Sequence, residues 1–168
     1  MSTHVVLPSP VGSVTVVADE GSITHVHLGD AKHGPAEESL GLPGSVADEP
    51  FASAATQLAA YFAGALREFD LPLAPRGDDF HQRVWGLLRE IPYGQTRSYG
   101  DLARALGDRN LAQAVGSANG RNPIAIVIPC HRVIGSDGLL VGYAGGLDRK
   151  RFLLALEEPA PDEAGRLF

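Results

Sequence analysis

The stretch Leu71-Pro72-Leu73-Ala74-Pro75-Arg76-Gly77 sets the first limit on the fold, because two prolines and a glycine cannot continue a helix or a central strand. A chain of 168 residues, 44% of them hydrophobic, can bury one sizeable core or two small ones. The break is therefore expected to separate a domain over residues 1–75 from another over 76–168. Before it, Val14–Val17 and Ile23–Leu28 are β-branched and partly alternating around the turn-forming Asp19-Glu20-Gly21-Ser22, which predicts a hairpin. Phe51–Phe62 has the alanine content and apolar stripe of a helix that would pack on that sheet. After the break, Asp79 is the expected N-cap of a helix carrying Phe80, Val84, Trp85, Leu88 and Ile91. Ser98 caps a short helix to Leu106, and Gly107 stops it before a second helix over Asn110–Asn119. Two short helices across such a turn form a helix-turn-helix. The expected class is α/β of the α+β kind: a small N-terminal antiparallel sheet with a helix, then a mostly helical C-terminal domain.

Net charge is −6, yet it is unevenly spread: residues 1–79 carry a net of eight negative charges and residues 80–151 a net of five positive ones. The basic segment fits either phosphate contact or a solvated arginine surface. The N-terminus lacks the basic flank of a signal peptide, and no apolar run reaches the roughly 20 residues of a membrane span. The expected location is cytoplasmic, away from membranes. His25 and His27 share a strand face without a cysteine or carboxylate at ligand spacing, and read as solvent-facing.

Cys130 is the one cysteine, which excludes an internal disulfide or a multi-thiolate metal site. Ile124–Ile128 reads as a continuous buried strand that Pro129 halts one residue before the thiol. A reactive thiol needs a base nearby, and His131 is adjacent. Lys150 and Glu157 fall on one stripe of a helix over Asp148–Glu157, so a Glu157–His131–Cys130 relay is conceivable. On spacing alone a small buried cysteine and a helix-surface Lys and Glu with no active role are the favoured readings.

The ordered string Ile91-Pro92-Tyr93-Gly94, Ser98-Tyr99, Ala114-Val115-Gly116, Asn122-Pro123, Ile128-Pro129-Cys130-His131-Arg132-Val133-Ile134, Gly142-Tyr143, Gly145-Gly146-Leu147 and Lys150 closely resembles the O6-alkylguanine-DNA alkyltransferases. The resemblance spans residues 80–158 almost without gaps. It implies a single-turnover protein that flips a damaged guanine out of double-stranded DNA and takes the O6-alkyl group irreversibly onto Cys130. By motif position, Glu157 orients His131, which deprotonates Cys130 through a water. Tyr99 and Lys150 assist departure of guanine, and Asn122 ties the DNA-binding helix to the active-site loop. Backbone of Cys130, Val133 and Ala144 would read the guanine edge, with Tyr143 and Gly145 beside the substrate. Gln113, Ala114, Gly116, Ser117, Asn119, Gly120, Arg121 and Arg132 would face DNA, the second helix of the helix-turn-helix lying in the minor groove. No cofactor and no metal are implied, since a zinc seen in some relatives needs cysteines before Cys130. The expected working unit is a monomer, with cooperative binding along DNA left open.

Gln113 departs from the family, in which most relatives place an arginine that fills the space of the flipped base. A related group binds alkylated DNA without transfer and flags it for other repair; it lacks the cysteine, and Cys130 argues against that alternative. A transcription-regulatory role would require additional N-terminal sequence. A cysteine hydrolase is excluded by chemistry, since nothing would release the thioether once formed.

Overall fold

Six residues of the N-terminus, Ser2–Leu7, form the strand β1, which lies between β2 (Val14–Asp19) and the short β4 (Leu42–Pro43); β3 (Ser22–Leu28) completes the order β3-β2-β1-β4. This computed structural model describes residues 2–29, 40–135, 143 and 146–158. β1 and β3 run antiparallel to β2, and β4 runs parallel to β1. The predicted hairpin is present. β1 is an addition that its sequence signals weakly, since Val5 is buried and Val6 is exposed.

Helix α1 (Phe51–Phe62) has the predicted bounds and buries Phe51, Ala54, Leu58 and Tyr61 at helical spacing against the sheet. The proline-rich stretch does not hang free. Ile23 N donates to the Pro72 carbonyl and Ala74 N donates to the Ile23 carbonyl, so the segment bridges the outer edge of β3. Two further bonds, Val26 N to Pro123 O and Ala125 N to Val26 O, bring the C-terminal half onto that edge. Both halves thus meet along β3, and its backbone groups are covered rather than left as an open edge.

Helix α2 (Asp79–Arg89) is capped one residue earlier than expected: Asp78, not Asp79, accepts the His81 amide on Oδ1 at 2.8 Å. Asp78 has the extended backbone a cap needs, whereas Asp79 is already helical. Trp85 Nε1 donates to the Ala118 carbonyl at 2.9 Å and ties α2 to the helix-turn-helix element. That element consists of α3 (Tyr99–Ala105), whose start is fixed by a reciprocal Ser98–Asp101 capping box, and α4 (Ala112–Gly120). α4 starts later than expected because Arg109–Leu111 forms a 3-10 turn capped by Asp108. The two-residue strands β5 (Arg97–Ser98) and β6 (Val133–Ile134) pair in parallel, linking the entry of α3 to the segment after Cys130.

Ile124–Ile128 is not a strand. Asn122 folds it into a compact loop, its Oδ1 accepting from Ile124 N and its Nδ2 donating to the Ile128 carbonyl at 2.7 Å. Ile128 N closes back on Ile124 O, and Ile126 takes φ 70°. A β-branched residue there stores of order 1–3 kcal/mol, which the burial of Ile124, Ile126 and Ile128 offsets.

Helix α5 (Leu147–Glu157) carries Lys150 and Glu157. Arg149 anchors it to the N-terminal half, its Nε donating to the Val11 carbonyl at 2.8 Å. The guanidinium lies against Gly29, where an added Cβ would fall 2.3 Å from Nη2 and where φ is 52°. Gly29→Ala is therefore expected to cost roughly 1–2 kcal/mol for the left-handed backbone alone, and more from displacing Arg149. Thermal melting measures this, and an unchanged midpoint would contradict the backbone cost at Gly29.

Candidate active site

Cys130 opens a 3-10 turn, Cys130–Arg132, whose three side chains are all buried. The Asn122 loop delivers it: Cys130 N donates to Ile128 O at 2.8 Å, and the same Ile128 carbonyl is held by Asn122. α4 approaches from the other side, where Asn119 Nδ2 donates to the Cys130 carbonyl at 3.4 Å. The end of the helix-turn-helix and the thiol are therefore one mechanical unit.

His131 Nε2 lies 2.7 Å from Glu157 Oε2 with both side chains out of solvent. An ionised carboxylate only accepts, so the proton resides on Nε2 and Nδ1 is the lone-pair nitrogen. Among the described residues no group hydrogen-bonds Nδ1. Burial pulls the His131 pKa below its ordinary value, and Glu157 only partly restores it, so the imidazole is neutral near pH 7.

Glu157 receives more than His131. Arg132 grips it with Nε on Oε1 at 2.7 Å and Nη2 on Oε2 at 3.0 Å, and the Tyr61 hydroxyl donates to Oε2 at 2.5 Å. Burial alone would raise the carboxyl, but the donors of His131, Arg132 and Tyr61 outweigh it and hold its pKa at about 2. Arg132 is held in turn by the Ile91 carbonyl at 2.6 Å and lies over the Tyr93 ring, whose hydroxyl donates to Leu156 O.

The thiol itself is pushed up by burial; the Asn122 amide, the Lys150 ammonium and the Tyr143 hydroxyl act in the opposite direction. Lys150 is fully buried, donates from Nζ to the Val133 carbonyl at 2.5 Å, and has its pKa lowered by burial to about 8, with the Cys130 charge opposing. Tyr99 is raised by burial and then by the charge of Cys130, which places its phenol in the same electrostatic neighbourhood. Cys130, His131, Glu157, Asn122, Tyr99, Lys150, Val133 and Tyr143 thus surround one centre, whereas Ala144 and Gly145 lie outside the described residues.

Two residues expected at DNA point inward instead. Arg132 is 7% exposed and fully engaged with Glu157 and Ile91, and Asn119 is 2% exposed and bonded to the Cys130 carbonyl. Gln113, Ala114, Ser117 and Arg121 are exposed on α4 and its end, with Gly116 and Gly120 half-buried. Gly116 abuts the Tyr99 ring, where an added Cβ would make only ordinary contact at 3.7 Å. Sequence reading missed Tyr61, Tyr93 and the Ile91 carbonyl. Ile91-Pro92-Tyr93-Gly94 carries the family resemblance without a role for its side chains, and Tyr61 sits on a stripe that reads as plain core.

A helix-turn-helix whose second helix is bonded to the backbone carbonyl of a buried cysteine, followed by an imidazole and a carboxylate in line, defines a class: a nucleophilic-cysteine protein built on a DNA-binding scaffold. Residues 79–159 match the family described as "6-O-methylguanine DNA methyltransferase, DNA binding domain", and residues 4–75 match "6-O-methylguanine DNA methyltransferase, ribonuclease-like domain". A methylated-DNA–protein-cysteine methyltransferase of Methanosarcina acetivorans is 47% identical over 92% of this chain and 97% of its own. One from Mycolicibacterium paratuberculosis is 50% identical over 89% of this chain and 88% of its own. A crystal structure of Mycobacterium tuberculosis OGT in complex with DNA superposes with a TM-score of 0.86 at 47% identity, covering 92% of each chain. The chain belongs to the methylated-DNA–protein-cysteine methyltransferase family, whose activity is DNA repair by alkyl transfer. Its partner is DNA. No helix among the described residues is long and apolar enough to cross a membrane.

Proposed function

We propose that this protein repairs O6-alkylguanine in double-stranded DNA by irreversible transfer of the alkyl group to Cys130, each molecule acting once. The observation that carries the assignment of roles is the buried 2.7 Å contact between Glu157 and His131 Nε2, which leaves Nδ1 of the residue next to Cys130 as a lone-pair base. His131 accepts the thiol proton through a water, and the imidazolium so formed is stabilised by Glu157. The thiolate, favoured by Lys150 and Asn122, forms an S–C bond to the alkyl carbon as the C–O6 bond breaks. The electron pair passes to guanine, and Tyr99 supplies a proton toward a ring nitrogen so that a neutral base departs. The product is a thioether, and none of these residues can cleave it.

Residues 1–75 and 76–168 act as two domains, the second presenting α4 to the minor groove with Gln113, Ala114, Ser117 and Arg121 outermost. The flipped guanine is read by backbone at Cys130, Val133 and Ala144, with Tyr143 and Gly145 beside it. The protein works as a monomer in the cytoplasm. Extruding the base costs a few kcal/mol, and a residue at position 113 that fills the vacated stack recovers part of it. Glutamine lacks the charge and stacking plane of guanidinium. Gln113→Arg is therefore expected to accelerate transfer from duplex DNA while leaving transfer from the free O6-alkylguanine base little changed. Single-turnover rates on the two substrates test this, and equal duplex rates would remove Gln113 from the account.

The non-transferring, damage-flagging alternative is tested by the same assay. Tight binding to lesion-containing duplex with no alkyl gain on Cys130 would favour it.

A further inference from the structure

We infer that Tyr61, on the helix of the N-terminal half, is a positioning residue of the reactive centre: its hydroxyl shares Glu157 Oε2 with His131 and so sets how strongly the carboxylate holds the imidazole. The inference rests on the relay proposed above. Tyr61 is completely buried, and its hydroxyl donates to Oε2 at 2.5 Å across 96 residues of sequence. Its ring is clamped edge-on by Phe62 at 5.4 Å and Tyr93 at 6.3 Å, with Phe69 at 5.4 Å, so the hydroxyl has one direction to point. Core packing alone would be served equally by phenylalanine. The hydroxyl is what the carboxylate uses.

Oε2 accepts from three donors, Tyr61 Oη, His131 Nε2 and Arg132 Nη2, while Oε1 accepts from Arg132 Nε. Each added donor withdraws charge from the oxygen and weakens what remains for His131. The charged and titratable groups facing His131 are Glu157 and Lys150 from α5 and Arg132 from its own turn. Those facing Glu157 are His131, Arg132, Tyr61 and, further off, Tyr93 and Tyr143. Tyr61 is the member of this set that comes from α1. Its effect has a definite sign. Without the hydroxyl, Oε2 binds the imidazole more strongly and favours imidazolium, which cannot accept the thiol proton. The pH below which transfer fails should therefore rise.

The test is the pH profile of single-turnover transfer from the free O6-alkylguanine base. Tyr61→Phe is expected to move the midpoint of the acid limb up by about half a unit or more. Ring-fluorinated tyrosine at position 61, a stronger donor, is expected to move it down, and this arm decides the matter if Tyr61→Phe does not fold. Gln57→Ala is the structural control: it removes two bonds between α1 and Asp70 without touching the relay, and should lower the melting temperature with the midpoint in place. A midpoint unmoved in both Tyr61 variants, with Glu157→Gln strongly slowed, would overturn the role of Tyr61. A wild-type profile in Glu157→Gln would overturn the relay itself.

Discussion

Replacing Arg132 with methionine is expected to lower the unfolding free energy by roughly 3–5 kcal/mol. Arg132 and Glu157 are 7% and 2% exposed, and the guanidinium supplies two of the four hydrogen bonds that reach the carboxylate among the described residues. Removing it strands a charge in a site without compensating solvent, and also releases the Ile91 carbonyl that Nη1 held at 2.6 Å. The sign with pH follows. In the native protein Glu157 titrates at about 2 against an ordinary 4.5, so its contribution is complete above 4.5 and is lost as pH falls toward 2. In Arg132→Met the folded-state value rises, and that increment of stability shrinks or disappears. Denaturant unfolding at neutral and acid pH measures both effects. Adding Glu157→Leu to Arg132→Met should recover part of the loss, because the uncompensated charge goes with it. A single variant within about 1 kcal/mol of the parent would mean the pair behaves as an exposed one, contrary to its burial.

His131→Ala is expected to slow alkyl transfer at neutral pH by about 10²–10⁴-fold, the range for loss of a positioned base. The defect should be pH-dependent in a particular way. Burial holds the Cys130 thiol above its ordinary value of 9.0, so the variant needs strongly alkaline solution to form thiolate unaided. Its rate should climb toward the parent's only there. Binding to duplex DNA should change little, since His131 is fully buried behind the outward face of α4. A neutral-pH rate within a factor of about three of the parent would show that Lys150 and Asn122 activate the thiol without a base.

Much of the frame is legible in the sequence because it is encoded locally. Ser98 with Asp101 three residues on, Gly107 and the alanine-rich Phe51–Phe62 carry their structural consequences within one or two turns. What differs from the sequence reading depends on which partner a polar group takes, near or far. Ile124–Ile128 has the composition of a buried strand, and the Asn122 amide that folds it into a loop is satisfied inside the loop rather than by a ladder. Arg132 follows Cys-His in a basic segment and so suggests phosphate, while its actual acceptors lie 25 and 41 residues away in sequence. The signal for its burial was its setting, between the Pro129-Cys130-His131 turn and the apolar Val133-Ile134. Tyr61 gives no such signal, because on an apolar helix stripe its hydroxyl is invisible until the helix is placed against α5. The cysteine, imidazole and carboxylate come together in the sequence through the family resemblance, since spacing alone leaves a small buried cysteine and a surface Lys150 and Glu157 open.

The most direct test is intact-protein and peptide mass spectrometry after mixing the protein with duplex DNA carrying one O6-methylguanine, beside Cys130→Ala. The account predicts the gain of a single methyl group per molecule, located on the peptide containing Cys130 and absent from the variant. A protein that binds the lesion duplex yet gains no methyl, or gains it elsewhere than Cys130, would contradict it.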